Sequence, residues 1–230
     1  MFKNLFSKKA IPNWLQPYFD AKSTMASTDM LLENLRFVVL DTETTGLNVK
    51  QDNLLSIGAI AIDNQAIIIE ESLELFVFND NIVKNDAILI HGILPTDTKE
   101  GKQAQVALEE FIQFLDNSVI VAHHTGFDMA MLTKAIQVFY PSFRLYNHDL
   151  DTAKMAMKID GVSPSRQVVD KKRYTLDALC QRYDIDMVER HTAWGDAYTT
   201  ALLFLKLSNI LKERGENKLS DFAPRRIGLF

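Results

Sequence analysis

Two acidic residues stand together where a short apolar run ends. Asp41 and Glu43 follow the β-branched run at residues 36–40 and are separated by one position. Because alternate residues of a strand point to the same face, their carboxylates are expected to lie side by side. Two like charges at that separation are unfavourable unless a cation lies between them, and hard oxygen ligands suit Mg²⁺ or Mn²⁺. For this motif alone, a pair of solvated loop carboxylates is the alternative.

Two more carboxylates occupy helix starts further along the chain. Asp128 opens a predicted helix, where the helix dipole alone would favour a negative charge. Asp196 lies about one turn inside the last predicted helix, on a stretch rich in Ala and Leu. A carboxylate in apolar surroundings needs a partner, which a metal shared with Asp41 and Glu43 would provide. His191 precedes Asp196 by five positions; a single histidine is more often structural, and this one gains weight only from that neighbour.

Hydrophobic periodicity predicts the elements that must position these residues. Strands are predicted at 36–41, 54–63, 66–78 and 118–124, with a hairpin turn at Asp63-Asn64. Helices are predicted at 103–115, 127–139, 174–183 and 192–211, and one or two short helices within residues 1–33. A three-stranded meander followed by alternating helices and strands indicates an α/β domain with a mixed sheet.

The order of these motifs is more specific than any one of them. Asp-x-Glu on the first strand, Asp at the middle helix start and His-x4-Asp on the last helix resemble the DEDDh branch of the DnaQ-like exonucleases, including polymerase III proofreading subunits. Three further segments are similar to that family, and the similarity extends over residues 36–207; the segments are Ser56-Ile57-Gly58-Ala59, His91-Gly92-Ile93 and Tyr174-Thr175-Leu176. The resemblance implies an RNase H-like fold, with a mixed five-stranded sheet flanked by helices.

The resemblance also implies catalytic roles. Asp41, Glu43, Asp128 and Asp196 would organise two divalent cations, Mg²⁺ or Mn²⁺. Asp41 would bridge both ions, Glu43 and Asp196 would hold the ion beside the attacking water, and Asp128 would support the second ion. His191 would deprotonate the water, which suits a group whose pKa lies near working pH.

Six residues are candidates for contact with the terminal nucleotides by the same resemblance. They are Thr44, Gly46, Leu47, His91, His124 and Phe127. Leu47 aligns with a residue that wedges against terminal bases, and Phe127 is placed to stack on a base or ribose. For both of these residues plain core packing is an equal alternative. His124 stands where many relatives have an Asn that contacts the terminal nucleotide, and His124 could replace it as a hydrogen-bond donor.

The predicted function is a 3′–5′ exonuclease that releases nucleoside 5′-monophosphates from single-stranded DNA ends, either free-standing or in polymerase proofreading. An exoribonuclease that trims RNA 3′ ends is the close alternative. A non-catalytic nucleic-acid-binding module and a phosphatase for small nucleotides are the more distant ones. Association with a DNA polymerase and homodimerisation are both left open.

Composition and net charge limit the classes of protein to which the chain can belong. The chain has 230 residues, a net charge of −5 and one cysteine, Cys180, so an internal disulfide is excluded and a cytoplasmic protein is expected. The acidic balance argues mildly against a protein that binds duplex DNA by charge alone. The basic loop at Lys171-Lys172-Arg173 is predicted to be a solvated loop rather than a phosphate contact. No membrane association is expected, and the predicted organisation is an N-terminal helical extension (1–33), an exonuclease domain (34–212) and a partly disordered tail (213–230).

Overall fold

A mixed sheet organises the chain. The computed structural model describes residues 10–79, 92–163 and 168–222. Within these residues the strands are β1 (Phe37–Thr44), β2 (Leu54–Asp63), β3 (Ala66–Phe76), β4 (Val119–Ala122) and β5 (Asp149–Asp151). They form one five-stranded sheet in the order β3-β2-β1-β4-β5. The β1/β2 and β2/β3 pairs are antiparallel, whereas β1/β4 and β4/β5 are parallel, which confirms the expected mixed sheet.

Helices cover both faces of this sheet. They are α1 (Gln16–Asp20), α2 (Pro95–Lys99), α3 (Ala104–Leu115), α4 (Gly126–Gln137), α5 (Thr152–Ile159), α6 (Leu176–Tyr183) and α7 (Ala193–Glu213). Short 3₁₀ turns occur at Asn13–Leu15, Ala21–Thr24, Leu32–Asn34, Lys171–Tyr174 and Leu219–Asp221. Across the described parts of the chain, none of these helices has the length and apolar character that a membrane crossing requires.

The alternation along β1 divides the core into two halves. Phe37 and Val39 pack on the face covered by α5, α6 and α7. Val38 and Leu40 pack on the other face, against α3, α4 and the N-terminal segment. By the same alternation Asp41 and Glu43 face α7 and Thr42 faces α4, because successive strand residues point to opposite faces.

Several features differ from the pattern-based prediction. β5 was not identified from periodicity, because it has three residues and only one of them is apolar, and the helices α2 and α5 were not identified either. The hairpin turn lies one position later than predicted, since Asn64 and Gln65 are the residues with left-handed backbone, at φ 49° and 63°. β1 also extends beyond the predicted end at Asp41 to Thr44.

Both terminal segments pack on the main body. Leu15 and Tyr18 are buried in the core beneath α3 and α4. Near the other end Leu219 is buried on the opposite face, and Lys218 forms an isolated antiparallel bridge with Leu31. Residues 213–222 of the predicted tail are described and include the 3₁₀ turn at Leu219–Asp221, while residues 223–230 lie outside the described residues. The division into three segments stays a prediction.

Candidate metal centre and active site

Three carboxylates converge at the carboxyl end of β1. Asp41 and Glu43 lie side by side on the strand, as expected from their spacing, and Asp196 approaches them from the first turn of α7. Each residue offers one ligand atom, and these atoms all lie within 4.8 Å of one another. Asp196 is only 7% exposed. Hard oxygen donors in this arrangement fit a divalent cation such as Mg²⁺ or Mn²⁺.

A glycine on the neighbouring strand allows α7 to come this close. Gly58 pairs directly with Asp41 in the β1/β2 ladder. A Cβ atom at Gly58 would lie 2.1 Å from the backbone carbonyl carbon of Ala193, the first residue of α7. That separation is far below van der Waals contact, so only glycine permits the observed packing. The position of Asp196 over β1 therefore depends on a residue in β2.

Asp128 reaches the site from the opposite face of the sheet. It is the third residue of α4 and is 4% exposed. Its Oδ1 accepts hydrogen bonds from the backbone N of Thr42 (3.0 Å) and from the Thr42 hydroxyl (2.7 Å). Asp128 is thus more than a carboxylate that stabilises a helix start, because it is tied to the strand that carries Asp41 and Glu43.

The charges of these carboxylates oppose one another. Burial raises the pKa of Asp41 well above its usual value, and the neighbouring Asp128, Asp196 and Glu43 raise it further. Burial, followed by repulsion from Asp196 and Asp128, raises the pKa of Glu43 to about 8. Burial also raises the pKa of Asp128 to about 7, although the hydrogen bonds from Thr42 oppose the shift. A cluster whose ionised form is this unfavourable has the electrostatics of a cation site.

The sequence interpretation missed Arg190, the residue before His191. The Arg190 guanidinium pairs through Nη1 with Asp196 Oδ2, and its Nε donates to Asp177 Oδ1 at 2.6 Å. Its charge lowers the pKa values of Asp41 and Glu43, against the larger effects that raise them. The available signal was a basic residue six positions before an acidic one, which has no specificity by itself.

His191 lies at the mouth of the cluster. Its side chain is exposed, and its backbone is left-handed, with φ at 68°. The backbone N is 3.4 Å from Asp196 Oδ1, and the ring Nδ1 is 3.4 Å from Arg190 Nη1. The histidine therefore adjoins the carboxylates, next to the N-cap residue Thr192, as its sequence position predicted.

Asp52, also missed from sequence, organises the loop between β1 and β2. Its carboxylate accepts hydrogen bonds from the Thr45 hydroxyl (2.9 Å) and from the backbone N of Asn48 (2.8 Å). The same carboxylate packs on Gly46, where a Cβ atom would lie 2.7 Å from Asp52 Oδ2. The buried Thr44 closes the turn, because its hydroxyl donates to the Gly46 carbonyl at 2.7 Å. The loop next to Glu43 thus has a fixed shape.

The remaining candidates for substrate contact surround this edge of the sheet. Leu47 is 86% exposed, which excludes core packing for its side chain. Phe127 is partly exposed and belongs to neither core cluster. His124 is exposed with φ at 64°, and its backbone N donates to Asp151 Oδ1 at 3.2 Å. His91 lies outside the described residues.

The fold and the acidic cluster define the class of protein. A mixed five-stranded sheet flanked by helices, with carboxylates at the end of its central strand, is the RNase H-like arrangement found in exonucleases. A family model described as "Exonuclease" (RNase_T) matches residues 38–204. The chain therefore belongs to this exonuclease family, and the resemblance noted in the sequence is confirmed.

Several relatives are polymerase proteins. The chain is 30% identical over 195 residues to the PolC-type DNA polymerase III of Thermotoga petrophila. The matched region covers 85% of this chain and only 13% of the relative's length. The chain is 28% identical over 179 residues to the DNA polymerase III subunit epsilon of Rickettsia conorii, covering 76% of this chain and 75% of that subunit. The chain thus spans a small part of the PolC-type relatives and most of the epsilon subunit.

Solved structures share the fold. Exonuclease I of E. coli in complex with a dT13 oligonucleotide superposes with a TM-score of 0.65 at 19% identity, covering 79% of this chain and 42% of that one. The cell-death related nuclease CRN-4 superposes with a TM-score of 0.62 at 15% identity, covering 76% of this chain and 64% of that one. At these identities the likeness establishes the fold alone.

Proposed function

We propose that this protein is a metal-dependent 3′–5′ exonuclease that releases nucleoside 5′-monophosphates from single-stranded DNA ends. The observation that carries the proposal is the convergence of Asp41, Glu43 and Asp196, whose ligand atoms lie within 4.8 Å of one another. Membership of the exonuclease family supports the reaction class. The polymerase III relatives support DNA as the substrate.

The carboxylates are the proposed ligands of two divalent cations, Mg²⁺ or Mn²⁺. Asp41 would contribute to both ions, Glu43 and Asp196 to the ion beside the attacking water, and Asp128 to the second ion. The fit rests on hard oxygen donors and on the raised pKa values of Asp41, Glu43 and Asp128, since a cation relieves the repulsion among them. Such ions stabilise the attacking and leaving oxygens of an in-line phosphoryl displacement.

His191 is the proposed general base. Its side chain is exposed to water, its ring contacts Arg190, and its backbone N lies 3.4 Å from Asp196 Oδ1. In the proposed step the imidazole takes a proton from the attacking water, whose oxygen forms a bond to phosphorus. The bond from phosphorus to the 3′ oxygen of the preceding nucleotide then breaks, and that oxygen takes a proton from solvent. The terminal nucleotide leaves with its 5′-phosphate.

The terminal nucleotides are proposed to bind along the β1–β2 loop and the start of α4. Leu47 projects from a loop that Asp52 fixes, so it can wedge between bases without a large ordering cost. Phe127 and His124, at the start of α4, offer a stacking surface and a polar contact, while Thr44 and Gly46 offer backbone near the terminal nucleotide. His91 stays a candidate from sequence. Association with a DNA polymerase belongs to the same proposal, because one similar protein is a subunit of DNA polymerase III. A homodimer stays a prediction.

The test is a time course on 5′-labelled single-stranded DNA and on RNA of the same sequence, with Mg²⁺, with Mn²⁺ and with EDTA. We expect a metal-dependent ladder that shortens from the 3′ end, faster on DNA. The matched control is Asp41→Asn, which keeps the side-chain size and removes the charge that both ions share; we expect it to abolish the ladder.

Other outcomes select other functions. A faster reaction on RNA would favour the RNA-trimming role. Binding of the oligonucleotides without cleavage in any metal would favour a non-catalytic binding module. Cleavage by Asp41→Asn at the wild-type rate would contradict the assignment of the carboxylate cluster.

A further inference from the structure

Arg190 places a positive charge inside the acidic cluster. Its guanidinium lies between two carboxylates on different helices: Asp196 on α7, paired through Nη1, and Asp177 on α6, whose Oδ1 is 2.6 Å from Nε. Of the side chains alone, that of Arg190 is 23% exposed, that of Asp196 is 9% exposed and that of Asp177 is 55% exposed. One partner of the guanidinium is therefore a buried candidate metal ligand, and the other is an exposed carboxylate outside the cluster.

The local backbone directs Arg190 inward. The residues on both sides, Glu189 and His191, have left-handed backbone, with φ at 45° and 68°, which is unfavourable for side chains larger than Gly. The turn is held against α7 because the Glu189 carbonyl accepts hydrogen bonds from the backbone N (3.1 Å) and hydroxyl (2.9 Å) of Thr192. Gly195 provides the room, since a Cβ there would lie 2.2 Å from the Glu189 carbonyl oxygen.

The guanidinium and a divalent cation have the same electrostatic partners. Arg190 pairs directly with Asp196, and its charge also favours the ionised forms of Asp41 and Glu43. A cation held by these three carboxylates would need the Asp196 oxygens and would repel a guanidinium at contact distance. The arginine and the metal are therefore competitors for one carboxylate.

We propose that Arg190 is a resident counter-cation that a divalent cation must displace from Asp196, and that Asp177 retains the displaced guanidinium. The inference rests on the metal site of the proposed function. It adds that the Asp177–Arg190–Asp196 chain of ion pairs sets the affinity for metal, with Arg190 opposing binding and Asp177 assisting it. Both residues are positioning residues, since neither is a proposed ligand.

The two variants then have opposite expected effects. Arg190→Gln removes the competitor, so Mn²⁺ should bind more tightly. Asp177→Asn removes the negative charge that would retain the displaced guanidinium, so Arg190 should remain on Asp196 and Mn²⁺ should bind more weakly. In the double variant there is no guanidinium to retain, so Asp177→Asn should have no further effect.

The experiment is calorimetric titration of the metal-free full chain with MnCl₂, for wild type, both single variants and the double variant. We expect Arg190→Gln to lower the Kd for Mn²⁺ about tenfold. The Arg190–Asp196 pair that the ion must break is partly buried and charge-assisted, and such a pair is stronger than an exposed one. We expect Asp177→Asn to raise the Kd several-fold only when Arg190 is present. The matched control is Arg182→Gln, which removes a similarly exposed arginine (28%) from an ion pair with Asp160 and should leave the Kd unchanged.

The outcomes separate this inference from the proposed function. A Kd that is unchanged or raised in Arg190→Gln would overturn the inference, because the guanidinium would then support the ligands or have no effect. If that variant does not fold, Asp177→Asn decides alone: weaker Mn²⁺ binding supports the inference, and equal or tighter binding overturns it. Failure of wild type to bind Mn²⁺ would overturn both proposals, whereas Mn²⁺ binding without nuclease activity would leave this one in place.

Discussion

Thr42 connects the two faces of the sheet at the scale of single residues. Its hydroxyl and backbone N both donate to Asp128, although Asp128 approaches from the face opposite to Asp196. We expect Thr42→Val to lower kcat about tenfold or more, since a methyl group replaces the donor that orients a buried carboxylate. Thr42→Ser keeps the hydroxyl and should retain most of the activity. Wild-type rates in both variants would show that the hydrogen bond from the Thr42 backbone N is enough to orient Asp128.

The role of His191, as a metal ligand or as a general base, can be decided by mutation. As a general base outside the carboxylate cluster, it should contribute to the rate and not to metal affinity. We expect His191→Ala to lower kcat by about 10²–10⁴ while the Kd for Mn²⁺ stays within about twofold. Single-turnover kinetics and calorimetry on the same preparation provide the two readouts. Loss of Mn²⁺ affinity would instead identify His191 as a ligand.

The raised pKa values make stability depend on pH. The pKa values of Glu43, at about 8, and Asp128, at about 7, exceed those of the unfolded chain, so the folded state binds more protons between about pH 4 and pH 8. The free energy of unfolding therefore decreases as pH rises through this window. In EDTA we expect Tm to fall by roughly 5 °C or more between about pH 5 and about pH 8.5.

Two comparisons control the pH measurement. Saturating Mn²⁺ should reduce the fall in Tm, because the cation takes the place of the protons as the source of charge compensation. Glu43→Gln, which cannot ionise, should flatten the same profile in EDTA. A Tm in EDTA that is constant or rises over this range would contradict the assigned shifts.

Sequence information accounts for part of the site at this scale. Spacing along one strand was enough to place Asp41 beside Glu43, because the strand period is local. The pairings of Thr42 with Asp128 and of Arg190 with Asp177 join residues on different elements. Such pairings depend on how the elements pack, which periodicity does not encode.

At the scale of elements, the contact between β2 and α7 assembles the site. Gly58 lies opposite Asp41, and its missing side chain leaves room for the Ala193 backbone. We expect Gly58→Ala to displace the start of α7 and to weaken Mn²⁺ binding at least tenfold, with a loss of stability of about 1–3 kcal/mol from overpacking. Thermal unfolding and calorimetry would measure the two effects.

Gly126 provides the matched control for this contact. It begins α4, and a Cβ there would meet no atom within 4 Å. Gly126→Ala should therefore leave stability unchanged or slightly improved, since alanine is the better helix residue. If both variants bound Mn²⁺ like wild type, the close approach at Gly58 would be unrelated to the metal centre.

The elements themselves were only partly predictable. β2 was predicted with its observed bounds, and α3 to within one residue, because each has a long regular apolar pattern. β5 escaped prediction because its pairing with β4 depends on the rest of the sheet and not on the propensity of Asp-Leu-Asp. The fifth strand was expected only through the family resemblance.

At the scale of the whole molecule, the two terminal segments join the body on opposite faces and also contact each other. The backbone N of Leu219 donates to the Met30 carbonyl at 3.0 Å, and that of Leu32 donates to the Asn217 carbonyl at 2.8 Å. Trp14, Leu15 and Tyr18 are at most 9% exposed. Burying side chains of this size stabilises a fold by about 1.5–3 kcal/mol each, so the N-terminal segment contributes substantially to stability.

Tyr18 ties this segment to the sheet through a buried polar contact. Its hydroxyl donates to Asn147 Oδ1 and accepts from the backbone N of Tyr146, both at 2.7 Å. Asn147 in turn donates to the carbonyl of Ser118, the residue before β4. We expect Tyr18→Phe to cost about 1–3 kcal/mol, because it removes a hydroxyl on which two buried groups depend.

Loss of the Tyr18 hydrogen bonds should lower the stability of the fold without changing the catalytic rate. Tyr18 packs on one face of the sheet, and the cluster of Asp41, Glu43 and Asp196 lies on the other. We therefore expect kcat per folded molecule to be unchanged while Tm falls by roughly 5 °C. Tyr140→Phe is the matched control from the same aromatic cluster, because its hydroxyl has no hydrogen bond among the described residues. Differential scanning calorimetry and the oligonucleotide assay would be run on both variants. An unchanged Tm in Tyr18→Phe, or a fall as large in Tyr140→Phe, would show that the hydrogen bonds of the Tyr18 hydroxyl make no specific contribution to stability.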